Sequence, residues 1–426
     1  MNGAKFVLPF ACMLALLNAG CGEPTGPAGP GPSGPGNQAN DRISIVNDAA
    51  SLATRVTYYD ADVPIQTAGV GYPSSMVMNP TDGGMSRASQ AAFSLKLKAE
   101  IAPPSVAGQV LQATSVAMVG DLAVVSYNMV GNPYLGAVDV FDVKKENKPV
   151  LRSQAIFQNT DVSAVFTLGQ NVFVAEATGD AGFAAPAVFE IMELQGSKLV
   201  LNGNRRMGLT SFVGTGVAAS GSRAYATSGD NGALFAIDPT SFTLIDSVEL
   251  DDARWVAVGG GKVVVVQGTP GRIAVFDETT LAHAGTFGFT GANVPESKST
   301  VELAGGKAFV AAGSGGVQVL SVNSGRVVGS VPRPDPASLG LDPSVVVTNA
   351  AAIDEDLIFI SNGEAGVYVA QGSKFFSATG SETQQQITML GRLGFGSLQS
   401  VNHVAYRSKY LFVAAGRGGV KIVQVK

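Results

Sequence analysis

Histidine and cysteine, the side chains that most often bind transition metals, are nearly absent from this chain. Its 426 residues include two histidines, His283 and His403, and two cysteines, Cys12 and Cys21. Structural zinc sites take four such ligands, and the metalloprotease motif places two histidines four residues apart on a helix. Neither pattern is present in the sequence, so we predict no metal and no cofactor.

Other patterns with chemical potential are incomplete. Glycines precede a lysine at 259–262 and 305–307, as in phosphate-binding loops, but Val263 and Ala308 replace the required Ser or Thr. The G-x-S-x-G motif of α/β-hydrolases does not occur. Acidic turns at 176–182 and 228–232 could bind calcium through carboxylate and carbonyl oxygens. Turns also favour Asp and Asn for backbone reasons, so both interpretations of these turns stay open.

Some long segments between the predicted strands have the composition of a recognition surface. Aromatic residues and arginine are enriched where proteins bind one another. The candidates in these segments are Tyr127, Tyr134, Phe183, Arg205 and Arg206. The alternative is that long loops vary in sequence without having a function.

A second set of candidates lies near the start of the predicted innermost strands. These strands begin mainly with Thr, Ser, Ala, Gly or Asn, and Glu302 is the one carboxylate in their interior. Larger residues stand out against this background, and we treat them as candidate ligand contacts, with local packing as the alternative. They are Arg254, Trp255, Asn402 and His403.

A repeated hairpin positions these residues. The sequence FVAAGSGGVQVL at 309–320 returns as FVAAGRGGVKIV at 412–423. Alternating strands joined by a glycine-containing turn predict a β-hairpin. Five further copies bring the number of hairpins to seven, and their first strands begin at residues 122, 172, 224, 263 and 357.

Shorter apolar strands before and after most hairpins bring each unit to four strands. Four strands repeating every roughly 40–50 residues are typical of propeller blades. The seventh unit has three strands, and an unpaired sheet edge is a liability that folds avoid. Residues 91–103 alternate correctly and can supply the missing strand. We therefore predict an all-β fold, a seven-bladed β-propeller over 91–426 closed by an N-terminal strand.

The repeats resemble those of known bacterial exported propellers. The hairpins are similar to LVIVD-type repeats, and GALFAIDPTSFTLIDSVEL and GRIAVFDETTLAHAGTF resemble YVTN-type repeats. This resemblance implies a propeller fold and a surface or envelope location. It implies no reaction, because many activities share one fold.

The N terminus predicts export. Lys5 precedes the apolar run 6–17, which is too short to span a bilayer but suits a secretory signal. The following LLNAGC resembles a bacterial lipoprotein signal, although Asn18 stands where that family usually has Leu. An ordinary signal peptide cleaved near residue 19 or 20 is the alternative. We expect a signal peptide over 1–20 and a lipid on Cys21.

The next segment predicts a tether. Residues 24–36 are mostly Gly and Pro, without the strict period of collagen. We assign residues 21–40 to a tether. Residues 43–46 and 56–59 could be strands, but no pattern persists, so 41–90 stays unassigned.

The charge and the composition of the chain argue against some classes of binding partner. Acidic residues outnumber basic ones, 33 against 28, and the basic clusters are no larger than the pair Arg205–Arg206 and the three lysines Lys144, Lys145 and Lys148, so nucleic acid is not expected as a partner. The sequence favours a non-enzymatic, monomeric scaffold that is held to the membrane by its lipid alone and binds a protein or polymeric envelope partner through its long loops. The alternative is a hydrolase or lyase with its site at the mouth of the central channel.

Overall fold

The structure is a computed structural model that describes residues 38–39, 42–77, 94–144, 148–295, 297–396 and 398–426. The predicted signal peptide, Cys21 and most of the tether lie outside the described residues. Within them, no helix is long and apolar enough to cross a membrane. The elements before the first blade are β1 (Gln38–Ala39), β2 (Ile43–Val46), α1 (Ala49–Ala53), β3 (Val56–Asp62), β4 (Ile65–Gln66), a 3-10 turn (Ser74–Met76), β5 (Leu95–Ile101), β6 (Ser105–Val106) and β7 (Gln109–Val110).

Seven antiparallel sheets follow, and each is one blade. The strands of each blade are given from the inner strand outwards. Blade 1 contains β8 (Gln112–Val119), β9 (Leu122–Asn128), β10 (Gly136–Asp142) and β11 (Val150–Phe157), and blade 2 contains β12 (Thr160–Leu168), β13 (Asn171–Thr178), β14 (Ala187–Gln195), β15 (Lys198–Val200) and β16 (Arg206–Gly208). Blade 3 contains β17 (Gly214–Ser220), β18 (Arg223–Ser228), β19 (Ala233–Asp238) and β20 (Thr243–Glu249).

Blades 4 and 5 contain β21 (Ala253–Gly259), β22 (Lys262–Gln267), β23 (Arg272–Asp277) and β24 (His283–Gly288), then β25 (Val301–Ala304), β26 (Lys307–Ala311), β27 (Val317–Ser321) and β28 (Val327–Val331). Helix α2 (Pro336–Leu339) precedes blade 6. Blade 6 contains β29 (Ala350–Asp354), β30 (Leu357–Ser361), β31 (Val367–Gly372), a 3-10 turn (Phe376–Ala378) and β32 (Ile387–Leu393). Blade 7 contains β33 (His403–Arg407), β34 (Tyr410–Ala414) and β35 (Val420–Val425).

The blades form a closed ring, as the sequence predicts. The inner strand of each blade contacts the inner strand of the next, and β33 of blade 7 contacts β8 of blade 1. Strand β5 pairs with β35, with Ile101 opposite Val420. The N-terminal closing strand is thus confirmed, with bounds Leu95–Ile101 inside the predicted 91–103.

The segment that the sequence left unassigned contributes outer strands to three blades. Strand β2 pairs with β11 of blade 1, β3 with β5 of blade 7, and β4 with β32 of blade 6. We call residues 42–77 the N-terminal strap. The strap covers the edges of the three blades around the junction of the chain's two ends, where an unpaired edge would otherwise remain.

The core lies between neighbouring blades, because each blade buries both of its faces. Four inner positions of β22, Val263–Val266, are 0% exposed. Such a continuous apolar run is expected for a strand covered on both sides. Phe141 of blade 1 packs against Phe412 of blade 7 with ring centroids 6.3 Å apart, so the ring closure also has an aromatic core.

The two near-identical sequence stretches form equivalent turns in blades 5 and 7. Each contains a glycine at φ +72°, Gly316 and Gly419, in the left-handed region that glycine enters easily. A Cβ on Gly316 would lie 2.1 Å from the carbonyl oxygen of Val331, and one on Gly419 would lie 2.0 Å from that of Ile101. The repeated glycines therefore let the turn approach the outer strand of its own blade.

Blade 2 differs from its prediction. The sequence predicts one outer strand at 199–204, whereas the structure has two short strands, β15 and β16, that both pair with β14. Gly203 lies between them at φ +73°, a conformation that interrupts a strand.

Candidate functional site

The strand order divides the loops between two faces of the ring. The turns between second and third strands and the connections between blades lie on one face, the long-loop face. The turns between first and second strands, and between third and fourth strands, lie on the opposite, short-loop face. Every inner strand consequently starts at the long-loop face and runs through the ring beside the central channel.

Trp255 and His403 occupy the same position in blades 4 and 7. Each lies four residues before the last residue of its inner strand, Gly259 or Arg407. Their rings meet across the channel with centroids 5.4 Å apart and an interplanar angle of 33°. Both side chains are 8% exposed. The structure thus brings together two candidates that are far apart in sequence and uses them to close the channel near the long-loop face.

Lys298 completes this closure, which we call the channel plug (Trp255, Lys298 and His403). Its Nζ lies 5.5 Å from the centroid of the Trp255 ring, within cation–π range. The same Nζ donates a 2.8 Å hydrogen bond to the carbonyl oxygen of Ser163. Since Lys298 precedes blade 5 and Ser163 belongs to blade 2, this side chain crosses the channel as well.

Burial sets the protonation of the plug. Loss of water lowers the pKa of Lys298 to about 7. Burial, and then the nearby Lys298, lowers the pKa of His403 to about 3. The imidazole of His403 is therefore neutral at physiological pH, and its Nδ1 has no hydrogen-bond partner in the described part of the chain.

Below the plug lies a cavity of about 320 Å³ that is bounded by inner strands. It extends from Trp255 and His403 to the exposed Arg407 at the short-loop face. Glu302 lines its wall and accepts a 3.1 Å hydrogen bond from the backbone N–H of Ile353. Burial raises the pKa of Glu302 to about 8, and the bond from Ile353 opposes this rise only in part.

Arg254 and Asn402, the neighbours of the plug rings, hold the loops of the long-loop face in place. The guanidinium of Arg254 pairs with Asp252 at 2.8 Å and donates to the carbonyl oxygens of Ala292 and Val294, both at 2.7 Å. The Asn402 amide donates a 2.8 Å hydrogen bond to the carbonyl oxygen of Ala113 in blade 1. These contacts join neighbouring blades, so the donor groups of both residues are engaged within the protein.

Two loops of the long-loop face and strand β16 form a continuous surface over blades 1 and 2. The Tyr134 ring lies over Gly179, 3.5 Å from the position of a Cβ there. Phe183 lies against Gly208, and the guanidinium of Arg206 stacks on the Phe183 ring at 4.7 Å. Tyr134 and Phe183 are half-buried and keep part of their rings in solvent.

Arg206 differs from the expectation of a solvent-facing contact. Its side chain is 3% exposed and pairs with Asp180 at 2.8 Å. Its guanidinium also lies 3.9 Å from a carboxylate oxygen of Glu176 and from one of Glu190. Burial, followed by repulsion from Glu190, raises the pKa of Glu176 well above its usual value. Arg206 and Arg42, which pairs with Glu190, together supply the positive charge beside these two carboxylates inside the blade.

Tyr127 and Arg205 are also placed differently from the expectation. Tyr127 is 0% exposed, because its strand directs the ring into the core between blades 7 and 1. The prediction that Tyr127 lies on the long-loop face is therefore wrong. Arg205 is half-buried and pairs with Glu193 at 2.7 Å along the edge of blade 2.

The acidic turn at 176–182 uses its carboxylates within the protein. Asp180 accepts from the N–H of Gly182 at 3.0 Å with one oxygen and pairs with Arg206 through the other. Among the residues that the structure describes, no group of three or more His, Cys, Asp or Glu side chains is arranged to hold a metal ion.

Sequence reasoning identified Trp255, His403 and Glu302 but missed Lys298. The position of Lys298 in the repeat could have identified it. Thr300 of blade 5 is equivalent to Trp255 of blade 4 and His403 of blade 7, and Lys298 lies two residues before Thr300. A lysine beside a channel entrance is an unusual choice, because burial of an ammonium is costly.

No family model and no curated protein matches the chain. Solved structures do match. BamB from Moraxella catarrhalis aligns with a TM-score of 0.48 at 14% identity, covering 86% of this chain and 97% of that one. Hydrazine synthase from Kuenenia stuttgartiensis aligns with a TM-score of 0.53 at 13% identity, covering 75% of this chain and 99% of that one. At this level of sequence identity, the similarity shows a shared fold and nothing about function. The pairing of the strands shows that the chain is a seven-bladed β-propeller.

Proposed function

We propose that this protein is a lipid-anchored component of a bacterial envelope whose propeller binds a protein or polymeric partner through the long-loop face. The apolar run ending in LLNAGC and the Gly/Pro-rich segment after Cys21 support anchoring. A lipid on Cys21 would hold the tether at the membrane, and the propeller would extend from it as an interaction scaffold. The LVIVD- and YVTN-like repeats are consistent with such an exported propeller.

The observation that carries the binding role is exposed apolar surface on one sector of the long-loop face. Val110, Val130 and Phe212 are 50%, 61% and 56% exposed. They lie in loops of blades 1 to 3 or in the connections that border these blades, on the same side of the ring as the half-buried Tyr134 and Phe183. Exposed apolar residues on the same face as partly exposed aromatic rings are typical of a docking surface.

The internal contacts of the candidate residues decide which of them can be mutated to test this role. Arg206 and Trp255 have internal contacts, so their loss would perturb the blade or the channel plug as well as any interface. Phe212 and Tyr134 are the better probes, because truncating them leaves the described hydrogen bonds intact. Phe375 is a matched control, since it is 40% exposed on the short-loop face.

The experiment places a photoreactive phenylalanine analogue at position 212 or 375 of the full-length protein in its host cells. Cross-linked products are then identified by mass spectrometry. We expect a defined partner from position 212 and none from position 375. With that partner purified, Phe212→Ala and Tyr134→Ala should each weaken binding by about tenfold, roughly 1.4 kcal/mol, as expected for interface aromatics. Equal cross-linking from both faces, or equal affinity of all variants, would contradict the proposal.

A further inference from the structure

The channel cavity has a composition that its packing role does not explain. Its wall is mostly Val and Ala, and its larger apolar and aromatic side chains are Met118, Phe166, Trp255, Leu303 and Tyr406. Glu302 is the only carboxylate in this lining. A carboxylate in an apolar wall is costly unless something compensates its charge. At about 320 Å³ the space falls in the range of small-ligand sites.

Several polar atoms of the lining lack partners. Thr167 Oγ1 and His403 Nδ1 are buried and make no hydrogen bond among the residues that the structure describes. Only one oxygen of Glu302 has an assigned donor, the backbone N–H of Ile353. Buried polar groups normally have partners, so groups that converge on a cavity without them indicate a water or a ligand.

We infer that this cavity binds a small organic cation, an apolar primary amine whose ammonium group contacts the Glu302 carboxylate and whose hydrocarbon part fills the Val and Ala wall below Trp255. This binding is separate from partner binding on the long-loop face, since the plug lies between the two. Access is from the short-loop face, where Arg407 stands at the mouth.

Charge and shape favour an amine over other ligands. An anion in the cavity would lie beside the Glu302 carboxylate and would have no cation deep in the cavity to pair with. Lys298 is not part of the lining, and Arg407 lies at the mouth, where it donates a 3.1 Å hydrogen bond to the carbonyl oxygen of Met118. A divalent metal ion needs more oxygen ligands than one carboxylate supplies. A monovalent ammonium matches one carboxylate in charge and donates up to three hydrogen bonds.

Binding should depend on pH. The pKa of Glu302 near 8 means that the empty site holds a neutral carboxylic acid at neutral pH. An ammonium pairs with the ionised form, so binding would release a proton. Below pH 8 the affinity should fall about tenfold per pH unit. Of the other titratable groups near the cavity, His403 stays neutral, and Lys298, which titrates near pH 7, would repel the ligand less as pH rises.

The test uses the only tryptophan of the chain, because Trp255 borders the cavity. Its fluorescence is followed while n-butylammonium or n-butanol is added to the full-length protein at pH 6.5 and pH 8.5. We expect saturable binding of the amine, at least tenfold tighter at pH 8.5, and no such pH effect for the alcohol. Glu302→Gln should weaken the amine at least tenfold and leave the alcohol unchanged. Glu249→Gln, an exposed change on the outer strand of blade 3, is the matched control.

A second measurement does not depend on a variant folding correctly. Calorimetry of the wild-type protein with n-butylammonium at pH 7, in two buffers of different ionisation enthalpy, should show release of nearly one proton per amine bound. Amine and alcohol binding with equal affinity and equal pH dependence would overturn the inference. Amine binding without proton release, or unchanged in Glu302→Gln, would overturn it as well.

Discussion

Arg55 offers a direct measurement of what the N-terminal strap contributes to the ring. Its guanidinium holds Asp139 of strand β10 with bonds of 2.7 and 3.1 Å. The Asp139 side chain is 0% exposed and that of Arg55 16% exposed. Gln154 also donates a side-chain hydrogen bond to this carboxylate, at 2.9 Å. Asp139 thus depends on a residue of the strap for its charge compensation.

Arg55→Met keeps most of the aliphatic length and removes the charge. Leaving a buried carboxylate without its cation costs roughly 3–5 kcal/mol, so the free energy of unfolding should fall by about that amount. Asp139→Asn in the same chain should recover much of this loss, because it removes the unpaired charge. Lys96→Met is a matched control: Lys96 pairs with Asp62, whose side chain is 80% exposed, and such pairs contribute about 0–1 kcal/mol.

The assay is unfolding in guanidinium chloride followed by circular dichroism, on all four proteins. Two-state behaviour has to be established first by coincidence of the circular dichroism and fluorescence transitions. If Arg55→Met costs no more than Lys96→Met, the strap does not stabilise blade 1 through this pair. If the double variant is no more stable than Arg55→Met, the loss comes from packing and not from the unpaired charge.

An alanine in the left-handed backbone conformation costs roughly 1–2 kcal/mol. Gly419→Ala should lower the free energy of unfolding by more than this, because the added Cβ would also clash with the Ile101 carbonyl oxygen of the closing strand. A melting temperature equal to that of the wild type would contradict this. The free energy of unfolding of Glu302→Gln should exceed that of the wild type by an amount that grows as pH rises from about 4.5 to 8. At pH 8 this difference should reach roughly 4–5 kcal/mol. The native state keeps that proton longer than the unfolded state, so a pH-independent difference in the free energy of unfolding would refute the assignment. Cys21→Ala should move the protein out of the membrane fraction, and unchanged fractionation without lipid mass on the N-terminal peptide would exclude the anchor.

The blade count and the closing strand could be predicted because their signals are local or repeated. Each hairpin is encoded by alternation within a few residues and by turn glycines such as Gly316 and Gly419. The closing role of β5 followed from one missing strand and one spare segment with the right alternation. These inferences needed no knowledge of which side chains meet.

The pairing of the strap could not be predicted, because its possible strands at 43–46 and 56–59 have little pattern of their own. Strand β2 has four residues and β4 has two, and both are defined by pairing with β11 and β32, which are distant in sequence. Tyr127 and Arg206 were misplaced for a related reason. A loop or strand-end position predicts exposure on average, whereas burial depends on which neighbouring blade covers the side chain.

What the sequence by itself determined is the architecture: seven four-stranded units, their closure, and Trp255, Glu302 and His403 as unusual residues of the inner strands. Only the tertiary structure decided what these residues do. Closing the ring brings blade 4 opposite blade 7 and blade 5 opposite blade 2, so Trp255 meets His403 and Lys298 reaches Ser163. The same closure removes water from Glu302 and raises its pKa, because desolvation depends on every strand around the channel and no short segment encodes it.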